Sequence, residues 1–241
     1  KMLKESQQNA EKSRAQMLLH EKKEQDKEKA AAKEDLSDVQ PGLNSLSLAI
    51  KKAKKYSINQ IILSNGVHDE EGKYVTIDFE LRLCGHNRDQ TKIRAGLYIK
   101  GKKDEDVHIT NCTVMGAKED GVRGYFGASM HLYNVCVEKC GESGVFVRST
   151  TRNTMTDCDV NNNGWNGVYV RDSGCMNIEG SETTIHHNAI KKYNHHTSYN
   201  YGLNAYTSDS SIHLKSLTKE SISTNNGGGG NYGGCGTIKT I

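Results

Sequence analysis

Gly121-Val122-Arg123-Gly124-Tyr125, Gly144-Val145-Phe146-Val147-Arg148 and Gly167-Val168-Tyr169-Val170-Arg171 are three versions of one phrase, each 23 residues after the last. The same step carries Val107 to Met130, Ile109 to Leu132 and Met155, and Val114 to Val137 and Val160. Between these positions short β-branched stretches alternate with Gly, Asn and Asp, the residues of strands and tight turns. A strand advances about 3.3 Å per residue, so three short strands and their turns use up roughly 20–25 residues. One such unit cannot bury its own apolar face, but stacking on the next unit closes a core.

The period therefore predicts an all-β solenoid, a right-handed three-stranded parallel β-helix, in which like residues lie above like. Cys112, Val135 and Cys158 fall on one interior column and Val114, Val137 and Val160 on another. Composition agrees: Gly 24 against Pro 1 suits many tight turns better than a disordered low-complexity chain. The cysteines read as core fillers with free thiols, as in a reducing compartment. Cys136 and Cys140 are four apart but lack a second pair at zinc-ligand spacing.

Outward from the repeat, three segments appear. Residues 1–40 carry nine acids and nine bases, interleaved at helix spacing, and no Gly or Pro. A charged helical arm or tether is expected. Leu3, Ala10 and Met17 repeat every seven, but Ser6, Ser13 and His20 make the companion seam polar, so a solvated arm is the simpler reading and an oligomerising coil the alternative. Pro41-Gly42 ends it, and residues 41–58 read as a short amphipathic capping helix with Lys51, Lys52, Lys54 and Lys55 on its wet side. Residues 59–241 are assigned to the solenoid. After Gly167 the next glycine in register is Gly202, so about 12 extra residues form an inserted loop near 186–201.

The residues around the cap carry a resemblance. Leu46 to Ala53, Ile61 to Leu63 with Gly66, and Val75-Thr76-Ile77-Asp78 running to Leu81, Leu83 and Gly85 resemble the start of pectin-lyase-like β-helices, where a short helix closes the N-terminal end. The Gly-Val-x-Val rungs are similar to those of mannuronan epimerases, periplasmic copper-enzyme accessory proteins and the F-box-associated β-helix. Ser211-Ile212-His213-Leu214, Leu217-Thr218-Lys219-Glu220 and the Gly-rich stretch Asn225 to Gly236 look similar to uncharacterised β-helix proteins of microalgae and their large DNA viruses. The superfamily resemblance spans residues 43–240. It implies the fold, which hosts lyases, hydrolases, epimerases and inert binders alike, and leaves function open.

Chemistry was sought column by column. No column keeps a carboxylate through three rungs: Glu119 leads to Glu142 and then Trp165, Asp120 to Ser143 and then Asn166. The Asp-rich and His-Gly signatures of the polygalacturonases and the Asp-Pro-His motif of the mannuronan epimerases are absent. If the chain is an enzyme on an acidic polysaccharide, the catalytic candidates are Asp157, Asp159, Arg148 and Arg171, with both aspartates expected to face solvent together. Otherwise no catalytic residue is assigned. Arg148 and Arg171, one period apart with Tyr125 on the rung before, could line a groove and grip carboxylates or sulfates in bidentate fashion. The insertion adds His186, His187, His195, His196 and Tyr199 as ligand-contacting candidates. Adjacent histidines on a strand point to opposite faces, so no metal site and no cofactor are expected there. Gly227 to Gly234 reads as a flexible turn or terminal cap, since no Lys-Ser or Lys-Thr follows to make a phosphate loop.

The leading expectation is a non-catalytic binding or scaffold module that presents one face to a protein assembly or an acidic polysaccharide, with oligomerisation possible through the arm. A polysaccharide-active enzyme and a structural component of a virion or other large assembly are the alternatives. The net charge of +3 lacks the basic stripe that nucleic acid requires, and no run of apolar residues suffices for a membrane span. No signal peptide is visible, so an intracellular (cytoplasmic) or virion-associated location is expected.

Overall fold

The structure, a computed structural model, describes residues 2–190 and 200–241, with side chains from residue 12 onward. Helix α1 (Met2–Asp35) ends six residues before Pro41, and helix α2 (Ser45–Tyr56) follows. Leu46, Ala49, Ile50 and Ala53 of α2 are buried over the open end of the solenoid, and the lysines stay on its outer side. Leu43 and Leu48, both apolar, are exposed. Among the described side chains, those that anchor the arm lie near its C-terminal end. There Ala32 and Leu36 are buried, Lys52 pairs with Asp35 at 2.5 Å, and Tyr56 donates to Glu28 at 3.2 Å.

Every strand pairing named here is parallel, and each coil contributes to three stacks. Face A runs through Gln60–Leu63, Leu81–Gly85, 106–110, 129–133, Asn153–Thr156, Cys175–Glu179, Ser211–Leu214 and Thr237–Thr240, eight rungs in all. Face B takes Gly42–Leu43, 66–69, 91–94, 112–115, 135–138, Asp159–Asn161, Thr184–His186 and Ser223–Thr224. Face C takes 74–77, 96–99, Val122–Tyr125, Val145–Arg148, Val168–Arg171, Tyr201–Ala205 and Gly230–Gly233. The Gly-rich stretch is a turn over 227–229 and a strand after it. Four of its residues make the last rung of face C, where a Cβ on Gly233 would strike the Tyr201 ring at 2.4 Å.

The interior columns are the expected ones. Val114, Val137 and Val160 pair in register and are fully buried, as are Ile109, Leu132 and Met155 to within 1%. Cys112 pairs with Val135, and Cys158 lies buried one rung on. Burial pushes the Cys136, Cys140 and Cys158 thiols up to about 12, so they fill space as neutral side chains. The glycine that opens each Gly-Val phrase is demanded by space rather than by φ. A Cβ on Gly144 would lie 2.5 Å from the Val160 methyl and 2.7 Å from the Asn163 amide.

Each coil turns three corners, and between residues 106 and 188 every corner carries at least one residue in the left-handed conformation. Between faces A and B these are Asn111, Asn134, Asp157 and Gly180. Between B and C they are Gly116, Lys139, Asn162 and His187, and between C and A they are Phe126, Ser149 and Asp172. Asn, Asp and Gly tolerate positive φ because their short or absent side chains relieve the steric clash. Phe126 has no such excuse, at φ 44 and 59% exposed.

Candidate functional site

Alternation along the face C strands sends every second side chain outward, and register stacks them into two rows. The first row is Tyr98, Arg123, Phe146 and Tyr169. The second contains Tyr125, Arg148 and Arg171, with Tyr206 following as the chain leaves Ala205. Arginines and aromatic rings therefore follow one another at the rung spacing of about 4.8 Å, one arginine among three rings in the first row and two adjacent arginines between rings in the second. The Arg123 guanidinium lies 4.9 Å from the centre of the Phe146 ring and 5.6 Å from that of Tyr125. Phe146 and Tyr169 stack at 5.0 Å, while Tyr169 and Tyr206 meet edge-on at 5.7 Å. Cation–π contact holds the guanidinium planes over the rings and fixes both.

Arg148 is the centre of the second row. Its Nε donates to Asp172 at 2.5 Å and its Nη1 to the Tyr125 hydroxyl at 2.7 Å, and its guanidinium also sits over Tyr125 and Phe126. Arg171 Nε lies 3.2 Å from the same Asp172 carboxylate without hydrogen-bond alignment. One carboxylate thus serves two guanidinium groups, leaving one positive charge unmatched within the triad. The corner beyond it opens into a cleft of about 530 Å³, lined by Lys103, Phe126, Ser149, Arg152 and Asp172 among others. Tyr125, Arg148 and Arg171 are brought together as the spacing implied. The rest of the outer rows was missed, although Arg123, Phe146 and Tyr169 follow the same 23-residue step.

The catalytic quartet is not brought together. Arg148 and Arg171 are on face C, whereas Asp159 is on face B and Asp157 sits at the corner between A and B. Asp157 and Asp159 are both half-buried with Cys158 buried between them, yet each is engaged locally. Asp157 Oδ1 accepts from the Glu182 amide at 3.2 Å, fastening a turn. Asp159 accepts from Thr184 at 3.0 Å and from Asn161 at 2.8 Å and faces His186 at 3.1 Å. His186 and His187 do not point to opposite faces. Because His187 takes φ 54 at the corner, the two Nδ1 atoms approach to 2.7 Å. His195, His196 and Tyr199 lie outside the described residues.

One carboxyl has the proton affinity that acid–base chemistry uses, and it is one whose column, continuing to Ser143 and Asn166, had argued against a catalytic role. Asp120 is 2% exposed, and burial pushes its carboxyl up to about 7, with the charge of Glu142 adding to the effect and Arg123 opposing it. It accepts from the Ser143 amide at 3.0 Å and from the Tyr74 hydroxyl at 3.3 Å, and Arg123 Nη1 lies 3.5 Å away. Burial likewise raises the Tyr74 hydroxyl. The position is continued by Ser143 and Asn166, with Asn166 donating to Ser143 at 3.4 Å and Asn204 to Asn166 at 2.9 Å. Asp120 is the first step of an enclosed polar ladder that satisfies the backbone before face C, and it meets the outer rows only from beneath, through Arg123 and Asn204.

A protein-family model described as a right handed beta helix region matches residues 50–218, well over half the chain. Among solved structures, the A-module of a mannuronan C-5 epimerase from Azotobacter vinelandii is similar over 82% of this chain and 94% of that one. The identity is 12% and the TM-score 0.27, a level that carries no inference about substrate or reaction. No curated protein matches.

Proposed function

We propose that this chain, which belongs to the right-handed β-helix family, is a non-catalytic module that binds an acidic polysaccharide along face C. The observation that carries this is the pair of outer rows, in which arginines and aromatic rings follow one another at a fixed step and lead to a cleft with Lys103 and Arg152. A linear polymer matches a linear array. Ring faces take the apolar sides of sugars, and guanidinium groups take carboxylates or sulfates in bidentate fashion. Phe126 adds an exposed ring at a strained φ beside Arg148, and residues held so commonly serve a surface rather than the core. The non-catalytic part rests on the scatter of carboxylates over different faces and on the enclosure of Asp120.

The arm supplies the scaffold half of the proposal. Described side chains from Lys12 to Ala31 are exposed, and Met17, Leu18 and Leu19 leave apolar surface uncovered on a helix about 50 Å long. Removal of residues 1–27 spares Glu28, Ala32 and Leu36. It is expected to leave the fold intact and to change oligomeric state or partner capture; if sedimentation and pull-down behaviour are unchanged, the tether is wrong.

The polysaccharide part is tested by incubating the protein with neutral, uronic and sulfated polymers and following both retention and new reducing or unsaturated ends. Retention of the acidic polymers without products, lost with Arg148→Ala, is the expected result. Products that disappear with Asp120→Asn or Asp159→Ala would replace it with an enzyme.

A further inference from the structure

Face A carries a cluster that the glycan rows do not use. Asp106 and His108 are two apart on the strand Asp106–Met115, so they share its outer side, and the parallel register sets His131 beside His108 on the next rung. The two imidazoles stack at 4.7 Å with 21° between planes. Ligand-capable atoms of Asp106, His108 and His131 all lie within 4.8 Å of one another.

How the atoms are held is more telling than their proximity. His131 Nδ1 meets the Thr154 hydroxyl at 2.9 Å, which turns Nε2 toward Asp106 Oδ1, 3.2 Å away. Arg152 Nη1 donates to Asp106 Oδ2 at 3.2 Å. Its Nη2 lies 2.8 Å from Oδ1 but out of line for a hydrogen bond. Asp106 Oδ1 and His131 Nε2 are thus both shielded from solvent, both without a directed hydrogen bond, and close enough for one ion to touch both. When Nδ1 carries the proton to Thr154, neither atom brings a hydrogen to the contact, and a cation bound to both makes it favourable. Thr154 orients one imidazole and Arg152 one carboxylate, the outer support that metal ligands require.

The geometry points to a three-ligand site for a borderline divalent transition ion such as Zn2+ or Co2+, held by Asp106 Oδ1, His131 Nε2 and a ring nitrogen of His108. Two imidazoles and one carboxylate suit these ions better than Mg2+ or Ca2+, which prefer all-oxygen shells. The nearby guanidinium of Arg152 repels the ion, so its removal is expected to tighten binding rather than loosen it.

The test is titration of the full chain with Co2+, followed by its visible spectrum, and with Zn2+ by competition against a chromophoric chelator. One equivalent with nitrogen and oxygen ligands and no thiolate charge-transfer band is expected. Asp106→Asn and His131→Gln should each weaken it about tenfold or more, His186→Gln and His187→Gln should leave it unchanged, and Arg152→Ala should strengthen it. Strengthening by Arg152→Ala separates a metal site from a merely structural ion pair, whose loss cannot improve metal binding. The proposal is overturned if no equivalent binds, if it survives Asp106→Asn and His131→Gln, if it follows His186 and His187, or if Arg152→Ala weakens it.

Discussion

Adjacent residues of the same face C strands live under different rules. Leu97, Val122, Val145, Val168 and Leu203 form one column, and Tyr98, Arg123, Phe146, Tyr169 and Asn204 form the next, one residue along and on the other side of the sheet. The inner column is aliphatic throughout and fully buried, because stacked coils leave a fixed cross-section that only side chains of similar volume fill. The outer column varies in charge and size, although Phe146 and Asn204 within it are themselves buried against their neighbours. Where it nevertheless sets Arg123 among aromatic rings, packing of the core is not the cause. The inner rows specify the fold and the outer rows are free to carry function.

Four substitutions probe that division, from the heaviest expected effect to the lightest. Leu132→Ala removes a side chain at 1% exposure from a column that cannot collapse, and chemical denaturation should show a loss of about 2–5 kcal/mol. Gly144→Ala forces a Cβ against Val160 and Asn163, and should cost about 1–3 kcal/mol by the same measurement. If it were neutral, the glycine of the Gly-Val phrase would have to be explained by something other than space.

Asp120→Asn tests a polar member of the interior. The Asp120 carboxyl binds its proton more tightly in the folded chain, at about 7, than an ordinary carboxyl at 3.8. Its stabilising effect is therefore fully present below about pH 4 and is lost as pH rises through 7. The amide imitates the protonated form, as Asn166 does two rungs on. The variant should flatten the stability profile between pH 4 and 7 and gain about 1–2 kcal/mol at pH 8, less than the full shift implies because Arg123 loses a partner. Thermal melts across that range decide it, and an unchanged profile would mean the carboxyl is ionised throughout. Arg148→Ala is the lightest for stability, at about 0.5 kcal/mol or less, yet the heaviest for retention on acidic polymers. Equal loss of retention from Leu132→Ala at temperatures where both are folded would erase the distinction between inner and outer rows.

Much of the architecture was legible from residue order because the repeat broadcasts it. Gly121, Gly144 and Gly167, with the valines after them, announce the step, and the Cys112, Val135 and Cys158 column follows from it. The pairing of Arg148 with Arg171 and Tyr125 came from the same arithmetic. Asp157 and Asp159 show where arithmetic stops. Alternation assumes a straight strand, but Asp157 takes a left-handed turn at a corner and fastens it, so the two aspartates serve different structures. The same kind of corner at His187 reversed the expectation for the two adjacent histidines.

A period is a one-dimensional property. It establishes that coils stack, how many residues each holds and which side chains lie one above another, because neighbouring rungs must match volume for volume. Corners are three-dimensional, and they alone decide which columns share a face. Only the folded chain separates Asp159 from Arg148, sets Asp106 against His131, and encloses Asp120 beneath the face that its neighbour Arg123 helps to form. The physical reason is that one left-handed residue redirects every side chain after it, and whether a given Asn, Asp, Ser or Phe takes that conformation depends on the rungs packed against it.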